Sequence, residues 1–404
     1  MSVGTEIKRE AEENVEQPEA KKKRISNDDL FRRSTQFEIW SYTQESLDKT
    51  KRAANAAGAK IATQKFNETF ETIEKEQPEV FQTHNETLNK DKLLTLLSFE
   101  EEAKYLNYYT QNIIPIAKFF KMPTQVKLTA VSFFRKFYLS NSVMQYHPKN
   151  IMYTSVFLAA KSENYFISID SFIKALKDTE AKDILDLEFI ILQSLQFTLL
   201  VHHAFRPLYG FFLDFQAVLL HPSPLMYDVS VNTLGSLYDK AKTWLNDNVV
   251  LSEVAFLFTP PQIALAAMYE VDKRITDRYL KRKFLKEHHE LDAIKEEDSG
   301  VKKEDSEVIE KIESTESVEN GEDKKDGENE TANEHKEKST VESQREQYET
   351  LVRTIRKCIK IAKQVQTSSR EEVKEIDRKC FYALNPKRLI EKQVKKVTKE
   401  ATTS

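Results

Sequence analysis

Seven glycines occur in 404 residues. An all-β chain of that length needs more of them for its tight turns and bulges, so the shortage predicts helices. Cysteine is scarcer still. Cys358 and Cys380 are the only two and make no metal-type spacing, which fits a reducing compartment. The N-terminal residues lack the apolar core of a signal peptide. The longest apolar run, Phe189–Val201, is interrupted by Gln193, Ser194, Gln196 and Thr198. It is shorter than the ~20 residues a membrane span needs, so a soluble intracellular protein without a membrane partner is expected. A net charge of −4 gives no global attraction to nucleic acid or to a lipid surface.

Catalytic motifs are missing as well. The histidines are His84, His147, His202, His203, His221, His288, His289 and His335, and no pair has the H-E-x-x-H spacing of a zinc site. There is no G-x-x-x-x-G-K-[ST] and no G-x-G-x-x-G to cradle phosphates. No glycine-framed serine suggests a nucleophile elbow. The sequence predicts no catalytic residue, metal or cofactor.

What is present is helical patterning with one unusual stretch. Between Asn150 and Lys161 there is no charge, and Ile151, Met152, Val156, Phe157, Leu158, Ala159 and Ala160 fill the interval. A helix apolar on every side is one surrounded by other helices. Pro148 suits its first turn, and Lys161 suits the negative end of its dipole. Ser98-Phe99-Glu100-Glu101 is a capping-box pattern for an earlier helix, which Pro115 is expected to kink or divide. Val126, Ala130, Phe133, Phe134 and Phe137 then share a face. A short helix over 170–177 and a longer one over 181–196, striped by Ile184, Leu187, Ile191 and Leu195, complete five helices. The second half repeats the theme at 204–219, 227–246, 260–273 and 276–286, and Thr259–Ala267 echoes 147–160.

The phrases R-K-F-Y-L-S-N-S-V-M-Q-Y-H-P (135–148) and F-L-A-A-K (157–161) resemble the first box of the cyclin family, most closely its cyclin H branch. The likeness continues at Leu187-Glu188-Phe189, Leu192–Phe197, Phe205-Arg206-Pro207 and Phe258–Leu265. It implies an all-α fold: two tandem five-helix cyclin boxes with extra N- and C-terminal helices and a disordered acidic insert. The expected divisions are a disordered polar N-terminus (1–33), an N-terminal helix and connection (34–92), a first box (93–200) and the first part of a second (201–286). An insert (287–344), the last helix of the second box (345–365), and a C-terminal helix with a solvated basic tail (366–404) follow. The N-terminal helix is expected over 44–60, stopping near Gly58. The insert contains no Phe, Tyr or Trp, too little apolar surface to offset chain entropy.

The resemblance also implies a role: a non-enzymatic subunit that binds and activates a cyclin-dependent kinase. For the cyclin H branch that kinase activates others of its class and phosphorylates the RNA polymerase II tail within TFIIH. Its further partners are a RING-finger assembly subunit and the TFIIH core. Cyclins carry a kinase-facing lysine at the end of the third helix and a glutamate in the fifth; these fall on Lys161 and Glu188. Apolar kinase-contact positions fall on Leu158, Leu192, Phe197 and Leu199. From pattern alone, Lys161 and Glu188 better fit an internal pair or simple exposure at a helix edge, and the four apolar residues fit a core stripe. Around Met122 the chain reads K-M-P-T-Q-V-K-L, which lacks the M-R-A-I-L type of substrate-docking motif. Lys21, Lys22, Lys23 and Arg24 form a basic cluster that fits a nuclear-import signal, and the resemblance implies a nuclear protein. Two other readings remain at this stage. One is a transcription-factor-B-like DNA binder, which wants a zinc ribbon and basic repeats; the other is a helical scaffold that binds no kinase. No sequence-specific contact with nucleic acid is expected.

Overall fold

The structure, a computed structural model, describes residues 31–84, 87–176, 179–220, 229–285, 330–365 and 368–403, and every regular element in them is helical. The chain enters through α1 (Thr35–Trp40) and α2 (Gln44–Glu76), followed by two short helices, α3 (Pro78–Thr83) and α4 (Lys90–Leu93). Thr43 caps α2 by accepting from the Ser46 amide. The helix does not stop at Gly58, as the sequence had predicted, nor does a loose connection begin at 61. A Cβ placed on Gly58 would lie 2.2 Å from Cβ of Ser142, so the glycine is a crossing point and not a terminator. Beyond it Ala62, Phe66, Phe70 and Ile73 form a buried stripe at helical spacing, and tertiary packing of such a stripe outweighs one glycine.

The first repeat comprises α5 (Phe99–Phe119), α6 (Thr124–Ser140), α7 (Pro148–Ser162), α8 (Ile169–Lys174) and α9 (Ala181–Ser194). Ser98 and Glu101 close the expected capping box on α5. Pro115 lies inside this helix without dividing it. Only one helical turn follows the proline, and Ile113 and Ala117 are both packed in the core on either side. Helix α7 is the hub and touches α5, α6 and α9. Its Ser155, Ala159 and Ala160 are fully buried, as expected of small residues that let neighbours approach.

The second repeat comprises α10 (Phe205–Leu219), α11 (Val231–Trp244), a π-helical turn at Leu245–Val249, the one-turn α12 (Val254–Leu257), α13 (Pro260–Val271), α14 (Lys273–Phe284) and α15 (Glu330–Lys363). Here α13 is the hub, with every residue from Ile263 to Tyr269 buried. The two repeats hold separate cores, one around Phe133, Phe137 and Ile151, the other around Leu208, Phe215 and Met268.

Helix α15 corrects one boundary. It begins at Glu330, whereas the sequence had assigned everything to 344 to a disordered insert. Glu330–Lys338 is rich in Glu and Lys, both good helix formers, and extending a helix already nucleated by packing is cheap. The rest of the insert, 287–329, and the basic cluster Lys21–Arg24 lie outside the described residues. The chain ends in α16 (Arg370–Leu384) and α17 (Pro386–Thr403). The expected solvated basic tail is therefore a docked amphipathic helix. Leu389, Ile390, Val394 and Val397 are buried against Phe66, Phe70, Ile73, Phe81 and Leu88, while its lysines face away. None of the described helices is long and apolar enough to cross a membrane.

Candidate partner-binding face

Helix α7 ends beside the middle of α9. Nζ of Lys161, in the last turn of α7, donates to both carboxylate oxygens of Glu188, at 2.7 and 2.9 Å. The same ammonium sits 4.6 Å from the centroid of the Phe157 ring. The lysine side chain is 48% exposed and the glutamate 17%. An ion pair at such a surface contributes ~0–1 kcal/mol, so the fold does not hang on it. It places one cation and one anion together at the edge of two packed helices.

The residues around the pair are unusually apolar for a surface. Helix α9 turns Ile184 and Ile191 into the core, yet Leu185 and Phe189, four residues apart on another stripe, are 44% and 57% exposed. Phe197 and Leu200 follow at 61% and 66%. Phe197 owes its position to a strained turn. Gln196 and Phe197 both have positive φ, 51° and 56°, a conformation that costs of order 1–3 kcal/mol for such side chains. Hydrogen bonds hold it: the Phe197 amide donates to the Leu192 carbonyl at 2.9 Å, and the Thr198 hydroxyl donates to the Leu195 carbonyl at 2.7 Å. Trp40 Nε1 on α1 in turn donates to that hydroxyl at 2.8 Å. The turn brings Phe197 edge-on to Phe189, with centroids 6.2 Å apart.

The structure thus brings Lys161, Glu188 and Phe197 onto one surface. Leu192 and Leu199 are half-buried against the first core. Leu158 is 4% exposed and packs in that core, because the hub helix has neighbours on every side. The exposed apolar area comes instead from Phe189, Leu185 and Leu200, which sequence reasoning did not single out. The second stripe on α9, Leu185 and Phe189 alongside the core stripe, was the available sign.

Comparison with known proteins gives this face a context. Residues 77–200 match the family described as "Cyclin, N-terminal domain", and residues 203–363 match "Cyclin C-terminal domain". Cyclin mcs2 of Schizosaccharomyces pombe is 36% identical over 260 residues, 64% of this chain and 74% of that protein. The chain belongs to the cyclin family. Cyclin CCL1 of Saccharomyces cerevisiae is 41% identical over 278 residues, 68% of this cyclin and 65% of the yeast protein. Cyclin-H of Xenopus laevis is 34% identical over 195 residues, 46% of this cyclin and 57% of the frog protein, so the likeness runs to the cyclin H branch. A solved CAK complex from Chaetomium thermophilum, bound to ATP-gamma-S, contains a chain that superposes with a TM-score of 0.58 over 92% of this cyclin and 90% of that chain. At 22% identity that superposition speaks for the fold.

Proposed function

We propose that this cyclin is a regulatory subunit that binds a cyclin-dependent kinase and holds it active, in the nucleus and in transcription. The observation that carries the reading is the Lys161–Glu188 pair set beside exposed Phe189 and Phe197 on the first box. A kinase is active only when its αC glutamate pairs with its β3 lysine and its activation loop is placed. A rigid face that accepts αC in that orientation alone shifts the balance; moving it from 1:99 to 99:1 needs ~5.5 kcal/mol of differential affinity. Exposed aromatic side chains bury enough apolar area to supply a share of that on the order of kcal/mol each. The chain itself supplies no phosphotransfer chemistry; it assembles the kinase's own site. Relatives of the cyclin H branch support a kinase that phosphorylates the RNA polymerase II tail within TFIIH and activates others of its class. A RING-finger assembly subunit and the TFIIH core would be its further partners.

Charge reversal tests this. Lys161→Glu or Glu188→Lys is expected to lower kinase co-purification about a hundredfold, since these charges would be desolvated once the kinase covers them, and unpairing a buried charge costs ~2–5 kcal/mol in binding. The double swap restores the internal pair and the melting temperature, yet binding is expected to stay lost. Recovery of kinase binding in the double swap would reduce both residues to an internal brace.

A further inference from the structure

Between the two boxes lies a cavity of about 80 Å³, walled by α1, α6, the 201–205 connection and the 245–263 segment of the second box. That is room for several waters, each of which needs about 10–15 Å³. One of its walls, α6, carries two cations. Lys136 is 2% exposed, and its Nζ has no hydrogen-bond partner in the protein; the Trp40 ring, with its centroid 5.0 Å away, is what faces it. Arg135 donates through Nη2 to the Leu251 carbonyl and, at 3.2 Å, to Asn107 Oδ1, but its buried Nε has no partner.

The other titratable groups on the walls are His202 and His203. Burial holds the His203 imidazole down at about 3, so it is neutral and bonded through Nε2 to the Thr129 hydroxyl at 2.9 Å. Burial and the neighbouring cations also lower His202, whose backbone amide and carbonyl are clamped by the Gln36 side chain. No carboxylate lines the cavity. Glu253, which acts on Arg135 from nearby, is bonded to Lys51 at 2.6 Å, and Glu163, beyond Thr129, is bonded to Gln125 at 2.7 Å. The second-box wall is almost wholly apolar: Leu245, Val249, Phe256, Phe258 and Ile263.

A buried ammonium without a counter-ion is costly, and a single cation–π contact offsets only part of the cost. A partner that fits must be small, singly negative and apolar at its other end. We propose that this inter-box cavity binds a small free carboxylate with a short aliphatic body, its carboxylate on Lys136 and Arg135 and its alkyl end against Phe256 and Ile263. Because the walls come from α1 and both boxes, such a ligand fastens the three together.

The test uses the full chain and sodium propionate or butyrate, with propionamide and sodium chloride as controls. Carbon-13 and nitrogen-15 NMR follows Lys136 Cε and Nζ, and melting follows stability. A saturable Lys136 shift with propionate, absent with propionamide and chloride, is expected. Burial alone lowers the lysine pKa to about 7, so the ammonium that the ligand needs is depleted above neutrality. Apparent affinity is therefore expected to be at least tenfold weaker at pH 9 than at pH 6. Lys136→Met keeps the length of the side chain, and in it the ligand-induced rise in melting temperature is expected to vanish. No saturable shift at pH 6, a shift matched by propionamide or chloride, or an undiminished melting response in the methionine variant would overturn the proposal. Should the methionine variant fail to fold, the wild-type NMR titration decides alone.

Discussion

Gly58 shows how one residue can be read two ways. In sequence it resembles a helix stop; in the structure it is the place where α2 crosses the segment after α6, with a Cβ-to-Cβ distance of 2.2 Å waiting for any larger side chain. Ser142 on the other side is fully buried and accepts the Met144 amide through its hydroxyl at 3.2 Å, so it cannot simply swing away. Gly58→Ala gains up to ~1 kcal/mol in helix propensity and loses ~1–3 kcal/mol to overpacking. Chemical denaturation is expected to show a net loss, and Ser142→Gly added to the alanine variant is expected to return part of it. An alanine variant as stable as the parent would mean that the crossing can open.

At the scale of elements, three tyrosine–carboxylate hydrogen bonds recur. Tyr105 on α5 donates to Asp377 on α16, Tyr279 on α14 to Asp214 on α10, and Tyr348 on α15 to Asp277 on α14. The first ties the C-terminal helices to the first box. His147 and Tyr105 hold the Asp377 carboxyl below its usual range against the opposing effect of burial. A lowered carboxylate stabilises the fold fully above its unfolded value, near 4, and loses that contribution as pH falls through the native value. Asp377→Asn is therefore expected to be less stable than the parent at pH 6, with the gap closing below about pH 4 in parallel melts. A gap that is constant with pH would point to the loss of a neutral contact. The helices themselves were legible where local pattern and packing agree. Pro148, the uncharged run to Lys161 and the capping box at Ser98 each marked what was found. The long α2, the early start of α15 and the docking of α17 were not, since Phe66 and Phe70 mean little until Ile390 and Val394 are known to lie across them. Likewise Leu158 and Phe197 look alike in sequence. Only the enclosure of α7 and the turn at Gln196 send one inward and the other out.

At the scale of the whole molecule, the two cores are joined through a small cluster. Trp40, Leu47, Leu139 and Phe256 pack together, and the Tyr42 amide donates to the Phe256 carbonyl at 2.8 Å. Trp40, 2% exposed, therefore reaches the α9 turn through Thr198, the inter-box cavity through Lys136, and the second box through Phe256. Trp40→Ala is expected to cost ~3–5 kcal/mol and to split one calorimetric transition into two, as the boxes lose their common joint. A single transition at the parental temperature would show that the boxes are coupled elsewhere.

The packing of α17 on α2 also has a consequence during synthesis. The chain leaves the ribosome from its N-terminus, and the stripe of Phe66, Phe70 and Ile73 emerges early. Its cover, Leu389 to Val397, emerges roughly three hundred residues later, a wait of about 15–60 s at about 5–20 residues per second. For that interval a nascent chain with a finished first box still presents an aromatic ridge to everything around it. Translation stalled within the second box would leave that ridge open, and such a nascent chain is a natural client for chaperones that recognise exposed aromatic side chains.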